Sequence, residues 1–127
     1  MKLVFAALLV AGVLPLVCAA IAKWGFRDYD NHAPRDWLAR QSGYRARANA
    51  AQANSFEAFP FFAAALLSAV YAGVPERTLA ILAGLYLASR IAYIACYLGN
   101  RASWRTLCWA LGYALVITLF VLAMGER

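Results

Sequence analysis

Two groups of polar side chains interrupt otherwise apolar stretches of this sequence, and their spacing is the first sign of chemistry. Arg47, Asn54 and Glu57 are separated by seven and three residues, offsets that put all three on one face of a helix. Gln52 falls off that stripe and is free to point toward a different helix. Arg90, Tyr93 and Tyr97 are spaced by three and four, again one helical face, and Arg101 and Arg105 follow them. One acid, several cations and two phenols converging in this way would make a pocket for an amphoteric, mostly anionic ligand. The plainer alternative pairs Glu57 with Arg90 and has Asn54 and the tyrosines bond between helices, as interior polar groups do in bundles. Pro60 cannot donate to the carbonyl of Phe56, so a kink is expected one step beyond Glu57, with room beside the cluster.

The elements that must position these residues are membrane spans. Hydrophobic residues make up 65% of the chain and charged ones 14%, whereas soluble domains run near half and a quarter. Four stretches are long enough to cross a hydrocarbon core of about 30 Å: residues 3–22, 50–73, 78–99 and 106–125. The first and last carry no charge, the third carries only Arg90, and the second is free of charge from Ala58 onward. A membrane barrel would need at least about eight alternating strands, so helices are the expected element. The fold class is therefore an all-α membrane protein, a four-transmembrane-helix bundle, with 127 residues forming one domain in a lipid bilayer. The first run is longer than the core of a cleaved signal peptide and is expected to stay as a span.

Orientation follows from the short loops, since those rich in Lys and Arg remain cytoplasmic. Lys23, Arg27, Arg35, Arg40, Arg45 and Arg47 cluster between the first two spans, with Arg101 and Arg105 between the last two. The opposite end has only Lys2, Arg77 and Arg127. Both termini are thus expected on the non-cytoplasmic side. Trp24, Trp37, Trp104 and Trp109 all fall at or near the basic end, as an interfacial aromatic belt requires. The net charge of +6 is then a topology signal and not a nucleic-acid footprint, because the cations are spread through loops against a bilayer. His32 is the only histidine, which removes His-based metal sites and Ser-His catalysis; no metal is expected. Cys18, Cys96 and Cys108 lie in or beside apolar spans, form no closely spaced pair and read as small packing residues.

The stretch from Arg47 through Ala51-Gln52, Asn54, Glu57 and Phe59-Pro60 resembles the signature of the MAPEG proteins, the membrane-associated proteins of eicosanoid and glutathione metabolism. Ser89-Arg90, Tyr93 and Tyr97-Leu98-Gly99, followed by Arg105, resemble that family's third helix and the arginine opening its fourth. The loop containing Tyr29-Asp30-Asn31 and Pro34-Arg35 is similar to the bacterial branch, which would place the protein in an inner (plasma) membrane. The resemblance covers essentially the whole chain.

It implies a homotrimer with glutathione, as co-substrate, held between neighbouring protomers near the cytoplasmic face. Asn54 and Glu57 would hold the glutathione backbone, Glu57 reaching its amino group, and Tyr93 and Tyr97 would supply hydroxyl contacts. Arg105, or Arg101 if the third loop is aligned differently, would sit beside the sulfur and stabilise the thiolate. Gln52 matches a ligand-binding position in the leukotriene-synthesising members. Two positions depart from the pattern. Ala50 stands where the family's glutathione enzymes have a carboxylate-gripping arginine, leaving Arg47, one turn earlier, as the cation nearest that role; Ala58 replaces an aromatic residue. The implied function is a glutathione-dependent transferase or peroxidase acting on a lipophilic small molecule, an electrophile that arrives through the lipid. The alternative is a non-catalytic binding or scaffold protein on the same frame. A small multidrug exporter, a third reading, would need a membrane-embedded glutamate in the first helix, and Leu3–Ala22 has none.

Overall fold

A computed structural model describes residues 1–125, and Arg127, counted above at the sparsely charged end, lies outside the described residues. Four helices are long and apolar enough to cross a membrane: α1 (Lys2–Lys23), α3 (Gly43–Ala72), α4 (Glu76–Leu98) and α5 (Ala102–Gly125). A short helix, α2 (Pro34–Ala39), lies in the basic loop between α1 and α3. α3 begins at Gly43, ahead of the apolar stretch, so its first turns carry Arg45, Arg47 and Asn49 beyond the expected span. It runs on through Pro60 as one helix.

The bundle is packed through small side chains. On α1 the buried positions are Val4, Ala7, Ala11, Pro15, Cys18 and Ala22, a repeat of three and four residues that lays one narrow seam along the helix. α1 packs mainly on α3, α4 mainly on α5, and α3 also contacts α5. Buried Ala48, Ala51, Ala65 and Ala69 on α3 let the backbones approach closely. At Gly112 a Cβ would meet the Ser89 hydroxyl at 3.2 Å, which is why α5 has no side chain where it crosses α4. The Phe62 and Tyr86 rings stack at 3.8 Å and tie α3 to α4. Phe62, Leu66, Leu79 and Leu119 fill the interior, while many other large apolar residues face outward: Leu3, Leu9, Leu16, Ile81, Leu107 and Met124 are all more than half exposed. Apolar exposure on every long helix suits lipid and would drive aggregation in water.

Both tight hairpins close with the same hydrogen-bond pattern. Gly73 is left-handed at φ +88°, Gly73 N–H donates to Val70 O, and Val74 N–H donates to Ala69 O, which is a Schellman closure. Asn100, at φ +56°, does the same after α4: its N–H donates to Tyr97 O and Arg101 N–H to Cys96 O. Asparagine tolerates this region better than most side-chain-bearing residues. The turn fixes where α5 starts, and so where Arg105 stands one turn later, its N–H bonded to Arg101 O.

Candidate functional site

Arg90 is the centre of the polar interior. Its side chain is 4% exposed, and its Nη2 donates to Asn54 Oδ1 at 2.7 Å and Ser55 Oγ at 3.4 Å. These bonds join α4 to α3 at membrane depth, where a guanidinium without acceptors is costly. Arg90 Cζ lies 4.3 Å from the centroid of the Tyr93 ring. Tyr93 meets Tyr97 edge-on at 5.7 Å, and Arg105 Cζ lies 4.4 Å from the Tyr97 centroid. Asn54, Arg90, Tyr93, Tyr97 and Arg105 thus form one continuous array from the bundle interior to the basic end. Cation over ring is worth on the order of 0.5 to 2 kcal/mol, more as the pair is desolvated, so each aromatic ring holds its arginine in place.

Glu57 stands at the edge of the array, in no ion pair with it. It is exposed, and among the described residues the one ion pair is that of the Met1 amino group with Glu76. The Glu57–Arg90 pair, the plainer of the two alternatives drawn from the spacing, is therefore not formed among the described residues. Glu57 is one turn beyond Asn54 and about 60° around the helix from it, at the exposed edge of the flank that meets Arg90, whose guanidinium is taken up by Asn54 and Ser55 instead.

Arg47 also has a job within the fold. Its Nε and Nη2 both donate to Leu98 O, at 3.2 and 3.1 Å, capping the carboxyl end of α4, where a cation complements unsatisfied carbonyls. Arg45 does the same for α1, donating to Ala22 O at 2.7 Å and Trp24 O at 2.9 Å, with its Cζ 4.1 Å from the centre of the Phe26 ring. Two cations of the first turns of α3 thus cap the carboxyl ends of α1 and α4. Gln52 faces away from the array, toward α2, along with Asn49 and Phe56. Its Oε1 is buried without a hydrogen-bond partner. Arg101 is exposed at the start of α5, whereas Arg105 is half-buried against Tyr97.

Among the residues singled out by spacing, Asn54, Tyr93, Tyr97 and Arg105 therefore come together through Arg90. Arg47 lies beside them at the end of α4, Glu57 stands at the exposed edge of the cluster, and Gln52 points to a different side of α3. Cys18 packs against Ala51, Tyr93 and Ile94 as a buried apolar residue. Among the described residues no group of His, Cys, Asp and Glu is placed to hold a metal ion.

A search of curated proteins returns no match to this chain. Family comparison does: the model of the MAPEG family matches residues 3–125, nearly the full length, including all four long helices and the whole polar array. The chain is an integral, multi-pass membrane protein, and it belongs to the MAPEG family.

Proposed function

We propose that this protein is a glutathione-dependent transferase or peroxidase for lipophilic electrophiles, acting as a homotrimer in a bacterial inner membrane with its basic end toward the cytoplasm. The observation that carries this reading is the array ending at Arg105. That guanidinium is seated on Tyr97 and is in no ion pair among the described residues, so its charge is available to a thiolate.

Two features favour assembly around a site shared between protomers. Gln52 and Asn54 are about 160° apart on α3, so one molecule of ligand reaches both only when it lies between two chains. A cyclic, head-to-tail contact brings one flank of α3 to the opposite flank of the next copy. Glu57 supplies the second feature. A carboxylate facing lipid costs on the order of 2.5 to 3.5 kcal/mol, and a neighbouring protomer together with the ammonium of glutathione would cover it.

The chemistry is bounded by the thiol. Lowering a thiol pKa from about 8.5 to about 6.5 raises its ionised fraction at pH 7 roughly twentyfold, but with a Brønsted slope near 0.45 it cuts intrinsic nucleophilicity nearly tenfold. Arg105 thus contributes about a few-fold through ionisation, and most acceleration comes from holding the thiolate against its target. In conjugation the sulfur forms a bond to carbon, the leaving group departs with its electron pair, and the thiol proton passes to water. In peroxide reduction two thiols supply two electrons, the O–O bond breaks, and alcohol, water and glutathione disulfide result.

Turnover of a chloronitrobenzene tests the assignment of Arg105. Arg105→Ala is expected to lower kcat/KM about three- to tenfold, with Arg105→Lys retaining most of the rate because charge matters more than shape there. Equal turnover by wild type and Arg105→Ala would remove Arg105 from the reaction. A non-catalytic scaffold is the second reading, favoured by one observation, the alanine at position 50. Its signature is an absence of turnover in the wild type itself.

A further inference from the structure

Two of the three cysteines, twelve residues apart in the chain, meet across the α4–α5 hairpin. Cys96 lies in the last turn of α4 and Cys108 in the second turn of α5. The Cys108 thiol is within hydrogen-bond reach of the Cys96 thiol, and Cys108 packs against the cluster that holds Tyr93 and Ile94 of α4. The turn through Gly99, Asn100 and Arg101, closed by the Asn100 and Arg101 N–H bonds, fixes one helix against the other here. Both thiols are free and half-buried, whereas Cys18 is 0% exposed.

Thiols in contact on two elements of fixed spacing need little backbone movement to close a bond of about 2 Å. Their surroundings are open to lipid, because Trp104, Leu107 and Leu111 on α5 are all more than half exposed. They are also next to the outer end of the polar array. Arg105, one turn before Cys108, is seated on Tyr97, the residue after Cys96.

We propose that Cys96 and Cys108 form a redox-active dithiol that reduces a hydroperoxide arriving through the lipid and becomes a disulfide within the hairpin. One sulfur attacks the O–O bond, the alcohol leaves with the electron pair, and a sulfenic acid forms. The other sulfur attacks the sulfenic sulfur, water leaves, and the S–S bond closes. Two thiols are thereby oxidised to one disulfide while one hydroperoxide is reduced to alcohol and water. A soluble thiol reverses the change by exchange through a mixed disulfide. The reaction needs no bound glutathione, so it stands apart from the glutathione reading above.

Mass spectrometry of the full chain tests the pair. Reduced protein in detergent is treated with cumene hydroperoxide, denatured, alkylated with N-ethylmaleimide and weighed intact. Untreated protein takes one label on each of its three cysteines. Treated wild type is expected to take a single label, on Cys18, and to lose two hydrogens; dithiothreitol restores all three labels. Peptide mapping is expected to join Cys96 to Cys108. Cys18→Ala is expected to form the same bridge and Cys96→Ala to form none. Treated wild type without a Cys96–Cys108 bridge, whether its thiols stay free or gain oxygen, overturns the proposal. A bridge that includes Cys18, one that links two chains, or one that persists in Cys96→Ala does the same. If Cys96→Ala fails to fold, the mapping of wild type and Cys18→Ala decides.

Discussion

Replacing Asn54 by Leu is expected to cost about 2 to 3 kcal/mol of stability, the upper range for a hydrogen bond to a charged group. Replacing Arg90 by Met in the same chain is expected to restore most of it. Ordinary interhelical hydrogen bonds within a bilayer contribute well under about 1 kcal/mol on average. This one differs because its donor is a guanidinium that is 4% exposed. Without Asn54 Oδ1, now at 2.7 Å, the Nη2 group keeps only Ser55 Oγ at 3.4 Å. Arg90→Met alone leaves Asn54 unpaired and loses the contact with Tyr93, so it too destabilises. The double variant removes both polar partners at once, and an apolar pair of similar volume is close to neutral. Chemical unfolding of the four proteins in detergent gives the coupling energy directly. Simple additivity of the two single changes would mean that the contact holds nothing together.

Glu57→Gln carries the second large effect, on ligand and not on fold. If Glu57 meets the ammonium of glutathione, the neutral amide loses a charge-assisted contact and the dissociation constant rises about tenfold to a hundredfold. A glutathione analogue lacking the amino group should bind wild type and Glu57→Gln alike. That comparison separates ligand contact from a purely structural role. A carboxylate needed only at the protomer boundary would weaken binding of both compounds equally when changed. Stability should fall little, since Glu57 is exposed and in no ion pair among the described residues.

The spans are legible in the sequence because charge is so sparse that every uninterrupted apolar run of sufficient length is a helix. The Arg90, Tyr93, Tyr97 face is legible for a similar reason: three- and four-residue spacing leaves little freedom once the helix is given. Spacing alone places Glu57 less well. Offsets of seven and three put it near Arg47 and Asn54, but the stripe drifts by about 60° between Asn54 and Glu57, which leaves Glu57 at the exposed edge of the flank and not paired with Arg90. Capping was hidden too. Arg45 and Arg47 read as loop charges because their acceptors, the carbonyls of Ala22, Trp24 and Leu98, belong to helix ends distant in the chain. α2 left a local sign in Pro34 followed by Asp36, a proline at the first helical position with an acid in the first turn. Six residues are too few for hydropathy to register. Asn100 was likewise marked by Gly99-Asn100, a pair suited to a left-handed closure.

The polar array is geometry; glutathione is the proposal built on it. Its most direct test is titration of the purified, detergent-solubilised protein with glutathione up to millimolar concentration, followed by calorimetry and by thermal unfolding. Saturable binding at one site per protomer, with an unfolding temperature that climbs as glutathione is added, is the predicted result. No heat of binding and no thermal shift at millimolar glutathione would contradict the proposal and leave a MAPEG bundle whose array serves stability alone.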